Sequence, residues 1–266
     1  ADLRSAECVN GTFYVGTDGY FAKSNDNGNT WTRLNDGTAI REFYAVGLGQ
    51  GNYDLNMAGS QDNGSSILNE EGWVEWNGGD GMEGLVHPLN KDWMIGSWQF
   101  GTRNFTRNGG LNRNGCGNPD GGSQYAAWEA PLLQNPQNSM QVYHFSDTVY
   151  SGNNFGRQWQ FKSSPNIGII SEAAIAETDS NVIAVARNNQ IRLTNNGGIS
   201  WIDIGNGLPG HYVRDIAFDP KDKNKIVVVF NRYQNDNQKV YLSNDQGATW
   251  ENITHNLGNM PLRTVV

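Results

Sequence analysis

The stretch Ser24-Asn25-Asp26-Asn27-Gly28-Asn29-Thr30-Trp31 decides how this chain reads, because the chain repeats it. It returns as SNDQGATW at 243–250 and, one residue off pattern, as TNNGGISW at 194–201. The physical logic is that of a hairpin. An Asp or Asn side chain folds back on nearby backbone N–H groups, a glycine two residues later supplies the positive φ of the turn, and the tryptophan opens the outgoing strand. Weaker copies are LNEEGWVEW around Gly72, TRNGGLNR around Gly110 and SGNNFGRQW around Gly156, the last with one extra turn residue.

The turn glycines Gly28, Gly72, Gly110, Gly156, Gly198 and Gly247 are separated by 44, 38, 46, 42 and 49 residues. Such intervals suit one four-stranded propeller blade per repeat. The two ends together supply a further interval of 47 residues. The expectation is therefore an all-β chain, a β-propeller of six four-stranded blades forming one domain over 1–266. The segment PLRTVV (261–266) is expected to pair beside the strand containing Phe13 to Val15 and shut the ring, leaving no sheet edge exposed. A start inside a blade suggests a piece excised from a larger protein.

Composition agrees with that reading. The 266 residues are 37% hydrophobic and 11% aromatic, with 33 glycines and no convincing helical period, which favours short strands and tight turns. The net charge of −8 and the scatter of the 19 Lys and Arg residues argue against nucleic acid, which requires a concentrated positive surface. No apolar run approaches the ~20 residues that span a bilayer, so membrane insertion is not expected. Cys8 and Cys116 are far apart in sequence and leave a disulfide and two free thiols both open.

Within the repeats, blade five is the cleanest, with IGIISEAAIAE, NVIAVARNN, QIRLTN and SWIDIG in order. In blade three the outer strand is poor, and LNRNGCGNPDGGSQ (111–124) reads as a long projecting loop. His87, before Pro88, reads as a turn residue rather than a ligand. The tryptophans at the repeat positions, Trp31, Trp73, Trp159, Trp201 and Trp250, are expected in the core.

These motifs resemble the BNR or Asp-box repeat family of sialidases, xyloglucan-type endoglucanases, sortilin-like receptors and secreted bacterial propellers. The QDNG turn (61–64) followed by GGDG (78–81) is similar to the Asp-box modules of large secreted bacterial surface proteins. The resemblance implies an extracellular or cell-surface location. It also implies structural roles for Ser24, Asp26, Gly28 and Trp31, for Thr194, Asn196, Gly198 and Trp201, and for Ser243, Asp245, Gly247 and Trp250. Their turns would lie at the outer rim, away from the ligand. On the opposite, funnel face it gathers Thr17, Asp18, Asp36, Gln61, Asp62, Asp80, Glu83, Trp98 and Gln99, with Asn188, Asn189, His211 and Tyr212. Asp-Gly pairs are turn formers in their own right, so Asp18, Asp36, Asp62 and Asp80 carry that plainer explanation too.

A sialidase of this family would need an Arg-Ile-Pro segment and an arginine triad, and the chain has no such segment. A glycoside hydrolase would need two carboxylates flanking the bond, for which Asp62 and Asp80 are the best candidates. The four histidines are isolated, and no Asp-x-Asp-x-Asp loop of calcium spacing occurs; NDNG and QNDN are acidic turns of a composition that suits Ca²⁺, with satisfied turns the plainer explanation. No cofactor is expected. The reading is a non-catalytic propeller that binds a glycan or a protein at its funnel face, with a xyloglucanase-like hydrolase as the alternative.

Overall fold

The computed structural model describes residues 3–34, 42–49, 56–69, 72–116 and 125–265. It contains six antiparallel sheets, each of four strands in sequence order. The first comprises β1 (Leu3–Val9), β2 (Thr12–Thr17), β3 (Phe21–Ser24) and β4 (Thr32–Arg33). The second comprises β5 (Ala45–Leu48), β6 (Asn56–Ser60), β7 (Gly64–Asn69) and β8 (Gly72–Asn77). The third comprises β9 (Gly81–Val86), β10 (Met94–Trp98), β11 (Arg103–Thr106) and β12 (Asn114–Gly115). The fourth comprises β13 (Leu132–Gln134), β14 (Val142–Phe145), β15 (Val149–Gly152) and β16 (Gln158–Ser163). The fifth comprises β17 (Glu172–Ile175), β18 (Ile183–Arg187), β19 (Gln190–Thr194) and β20 (Ile202–Asp203). The sixth comprises β21 (Val213–Asp219), β22 (Asp222–Phe230), β23 (Val240–Ser243) and β24 (Glu251–Asn252).

Strand β18 shows why a repeat of this kind builds blades. Its run Ile183-Ala184-Val185-Ala186 is wholly buried, and successive side chains leave the strand on opposite faces. Ile183 and Val185 pack with Tyr143 and Phe145 of blade four, whereas Ala184 and Ala186 pack with Ile216 and Val228 of blade six. A sheet covered on both faces needs a continuous apolar strand rather than an alternating one. Blades two and three pack Met57, Ile67 and Trp76 against Val86 and Met94 and meet in addition through glycine. A Cβ on Gly59 would fall 1.9 Å from the Met82 carbonyl oxygen, and one on Gly47 would fall 2.3 Å from that of Gly84, so only bare backbone fits.

The repeated turns share one hydrogen-bond pattern. Ser24 Oγ donates to Asp26 Oδ1 (2.7 Å) and accepts from the Gly28 N–H (2.9 Å), while Asp26 accepts from the backbone N–H and hydroxyl of Thr30. The same bonds form at Ser243, Asp245, Gly247 and Thr249. At Thr194, Asn196, Gly198 and Ser200 the same bonds recur except the last, where Asn196 Nδ2 donates to Ser200 Oγ instead of accepting from it. Thr106, Asn108, Gly110 and Asn112 form the other three bonds in blade three despite the degenerate sequence, without the hydroxyl bond. Gly28, Gly198 and Gly247 all adopt positive φ, at 86°, 93° and 84°. His87 is a turn residue: its Nδ1 accepts from the N–H groups of Leu89 and Asn90.

Three expectations are corrected. Closure by PLRTVV is not seen: among the described residues no ladder joins 261–265 to blade one, because Leu3–Val9 already pairs along β2. The C-terminal segment turns instead toward blade six, where Asp215 accepts from Thr264 Oγ1 (2.8 Å) and the Val265 N–H (2.9 Å). The buried Lys239 ammonium fixes its approach by donating to the carbonyls of Gly258 and Met260, each at 2.6 Å. Second, Trp31 and Trp73 are not core residues but 46% and 53% exposed. Third, the loop after blade three contributes the missing strand β12, its residues 117–124 lying outside the described ones. Cys8 and Cys116 are unbonded, and burial pushes the Cys116 thiol up to about 11.

Candidate functional site

The loops between second and third strands and the starts of the first strands form one face of the molecule. A groove of about 760 Å³ opens there between blades one and two, lined by Asp18, Tyr20, Phe43, Tyr44, Gln61, Asp62 and Arg263 among others. Local bonding fixes its polar walls. Asp18 pairs with the Arg4 guanidinium, whose Nη2 lies 2.6 Å from Oδ2, and this holds the carboxyl below its ordinary range. The Tyr44 hydroxyl donates to Gln61 Oε1 (2.5 Å), and the Arg33 guanidinium stacks over Tyr20 at 4.5 Å. Asp62 has a left-handed φ of 58°, and its N–H donates to Asp80 Oδ1 at 2.8 Å. That bond occupies Asp80 in stabilising the turn.

Tyr44 and Arg263 also line a smaller cavity of about 260 Å³, so the groove continues into it. This cavity collects the heads of the first strands from successive blades: Glu83 in β9, Glu129 ahead of β13, Glu172 in β17, and Arg214 with Asp215 in β21. Thr264 of the C-terminal segment closes one side. Glu172 accepts from Arg214 Nη1 at 3.0 Å, yet burial outweighs the guanidinium and the carboxyl is pushed up to about 8. Glu83 is pushed up to about 8 as well, by burial first and then by the charges of Glu129 and Asp215. Burial also raises Glu129, with Arg214 and Arg263 opposing it. A small part of Glu83 still faces the cavity, but protein surrounds its carboxyl, which explains how a partly accessible residue is so strongly desolvated.

The remaining sequence candidates fall elsewhere. Trp98 ends β10 half-buried against Gly79, with the Arg113 guanidinium 5.8 Å from its ring. Its Nε1 is buried and finds no hydrogen-bond partner among the described residues. Gln99 begins the 3-10 turn Gln99–Gly101, outside both the groove and the cavity. Asp36 lies outside the described residues. Asn188, Asn189, His211 and Tyr212 line a separate groove of about 410 Å³ with Asn231 and Arg232, between blades five and six. Of the residues expected together, Asp18, Gln61 and Asp62 share the large groove, Glu83 lies in the cavity, and Asp80, Trp98 and Gln99 line neither.

Sequence reading passed over Glu129, Glu172 and Asp215, although the signal was present. Together with Glu83 they are spaced by 46, 43 and 43 residues, the rhythm of the repeat itself, and Thr264 follows Asp215 after 49. Among the described residues no group of three His, Cys, Asp or Glu side chains has the arrangement of a metal site.

No family model and no curated protein matches the chain. Solved structures do. An ancestral GH74 enzyme superposes with a TM-score of 0.65 at 18% identity, over 94% of this chain and 38% of that one. The fold is a β-propeller. YCF48 from Cyanidioschyzon merolae superposes with a TM-score of 0.58 at 14% identity, covering 94% of this chain and 84% of its own. YCF48 bound to D1 peptide gives 0.56 at 12%, covering 91% and 78%. The chain thus spans less than half the length of the GH74 enzyme, and identities this low establish the fold alone.

Proposed function

We propose that this propeller is a non-catalytic binding module, extracellular or at the cell surface, that takes a segment of a protein partner at its funnel face. The observation that carries this reading is the continuity of the 760 Å³ groove with the 260 Å³ cavity through Tyr44 and Arg263. A groove flanked by Tyr20, Phe43 and Tyr44 and continuing into one smaller cavity suits an extended chain with a single anchoring side chain. The peptide-bound YCF48 supports the reading by showing that a propeller of similar fold accepts a peptide. Hydrolysis is the weaker alternative, since Asp80 of the Asp62 and Asp80 pair is committed to the Asp62 N–H.

A glycan reading is favoured by the groove between blades five and six. There Tyr212, 70% exposed, offers an aromatic face beside the amides of Asn188, Asn189 and Asn231. Selecting a peptide library on the immobilised protein, in parallel with a panel of polysaccharides, tests all three readings. Peptide enrichment that is lost in Tyr44→Ala supports the proposal. Polysaccharide retention lost in Tyr212→Ala, without peptide enrichment, replaces it with the glycan reading, and new reducing ends establish the hydrolase.

A further inference from the structure

The axial cavity holds four carboxyl groups, Glu83, Glu129, Glu172 and Asp215, against two guanidinium groups, Arg214 and Arg263. The cations do not serve the acids equally. Glu172 is bonded to Arg214, and Asp215 is bonded by Thr264 Oγ1 and the Val265 N–H. Glu129 feels both arginines. Glu83 makes no hydrogen bond or ion pair with any described residue, its partly exposed side chain lines the cavity wall, and only other acids act on its charge. A carboxyl buried without a donor is costly to the fold, and such groups persist where something else supplies the donor.

We infer that Glu83 and Glu129 form the seat of a guanidinium or ammonium group carried by a side chain of the protein partner, which enters the axial cavity from the groove past Tyr44. The inference rests on the protein-binding reading above and names the anchor. Size supports one side chain: about 260 Å³ lies below the range of roughly 300–1,000 Å³ usual for small-molecule sites. Charge supports a cation, since the seat carries a surplus of two acids when all the groups are ionised. A bare metal ion is not supported by the geometry, because the described acids do not converge as ligands. Arginine suits the seat better than lysine, having five donors in a planar fork to satisfy two carboxyl groups.

Proton linkage gives the seat a signature. The groups facing it from the surrounding strands are Glu83, Glu129, Glu172, Asp215, Arg214, Arg263 and Tyr44. Empty, Glu83 holds its proton to about pH 8. A bound cation favours the carboxylate, so binding releases a proton at neutral pH and tightens as the pH rises.

Titration calorimetry with acetyl-Gly-Gly-Arg-Gly-Gly-amide and its glutamine counterpart, at pH 6 and pH 9, tests the assignment. Arginine stays charged across that range, so any pH effect belongs to the protein. The expected result is affinity about tenfold greater for the arginine peptide at pH 9, a smaller preference at pH 6, and its disappearance in Glu83→Gln, with the variant melting no lower than the parent. Proton uptake or release, read from two buffers of different ionisation enthalpy, is an independent measure on the unaltered protein. Equal binding of the two peptides, or an arginine preference that survives Glu83→Gln, overturns the cation seat; if Tyr44→Ala still weakens both peptides, the protein-binding reading stands without it. Failure of both peptides to bind overturns both readings.

Discussion

Blade five and blade one carry the same turn, and only one of them is seated. In blade five the turn leads to Trp201, whose Nε1 donates to Ser163 of the preceding blade, and every residue from Val182 to Ala186 is buried. Trp250 of blade six likewise donates to the Ile204 carbonyl of blade five. In blade one Ser24, Asp26 and Gly28 form identical bonds, but Trp31 is 46% exposed and every residue of β1 is exposed. Leu3, Val15, Tyr20, Ala22 and Trp31 instead line an open groove of about 270 Å³. A hairpin motif is thus satisfied locally, within eight residues, while the burial that makes a blade stable is supplied by its neighbours.

Backbone contact between blades gives the sharpest way to break that comparison. Gly59→Ala places a methyl group against the backbone of Gly81 and Met82, which cannot yield without separating blades two and three. Its denaturant midpoint is expected to fall by the equivalent of about 3 kcal/mol. Gly16→Ala in blade one meets only the Ser5 hydroxyl at 2.8 Å, a side chain free to rotate, and is expected to change stability by less than about 1 kcal/mol. Equal losses would show that blade one is packed as tightly as blade two.

The tryptophans come next. Trp250→Ala removes an indole packed on the core of blades five and six, together with its bond to Ile204, and is expected to cost about 3 kcal/mol in equilibrium unfolding. Trp31→Ala, at the equivalent position of blade one, is expected to cost under about 1 kcal/mol. A large loss on Trp31→Ala would mean that blade one finds a neighbour in solution.

Smallest is the response to pH, where the axial cavity and the blade-one turn oppose each other. The Glu83 carboxyl titrates near 8 when folded, against an ordinary 4.5, so the folded state holds its proton more tightly. Its contribution is fully present below about pH 4.5 and is lost as the pH rises through about 8. Glu83→Gln should therefore flatten the decline in melting temperature between pH 5 and pH 9. Bonds from Thr30 depress Asp26 to about 2, so its contribution is present above 3.8 and lost as the pH falls toward 2. Asp26→Ala should remove stability at pH 7 and leave the slope above pH 5 unchanged, whereas a changed slope there would couple the turn to the cavity.

The sequence by itself determined the number and order of the blades, because each repeat carries its turn in contiguous residues. A Ser or Thr hydroxyl bonds the Asp or Asn two residues on and the glycine N–H four residues on, and that Asp or Asn accepts from the N–H four residues beyond itself, whatever lies around them. Even the degenerate copy at Thr106 forms these bonds, since Asn108 and Gly110 retain the needed groups. Tertiary structure alone decided what the blades meet. The carboxyl groups of Glu83, Glu129, Glu172 and Asp215 are more than forty residues apart along the chain and become neighbours only when the strand heads point inward. It also decided that Leu3–Val9 pairs with β2, the place the sequence assigned to the C-terminal segment. Burial and long-range charge act across the fold rather than along the chain, and for that reason the site was written in the sequence only as a spacing.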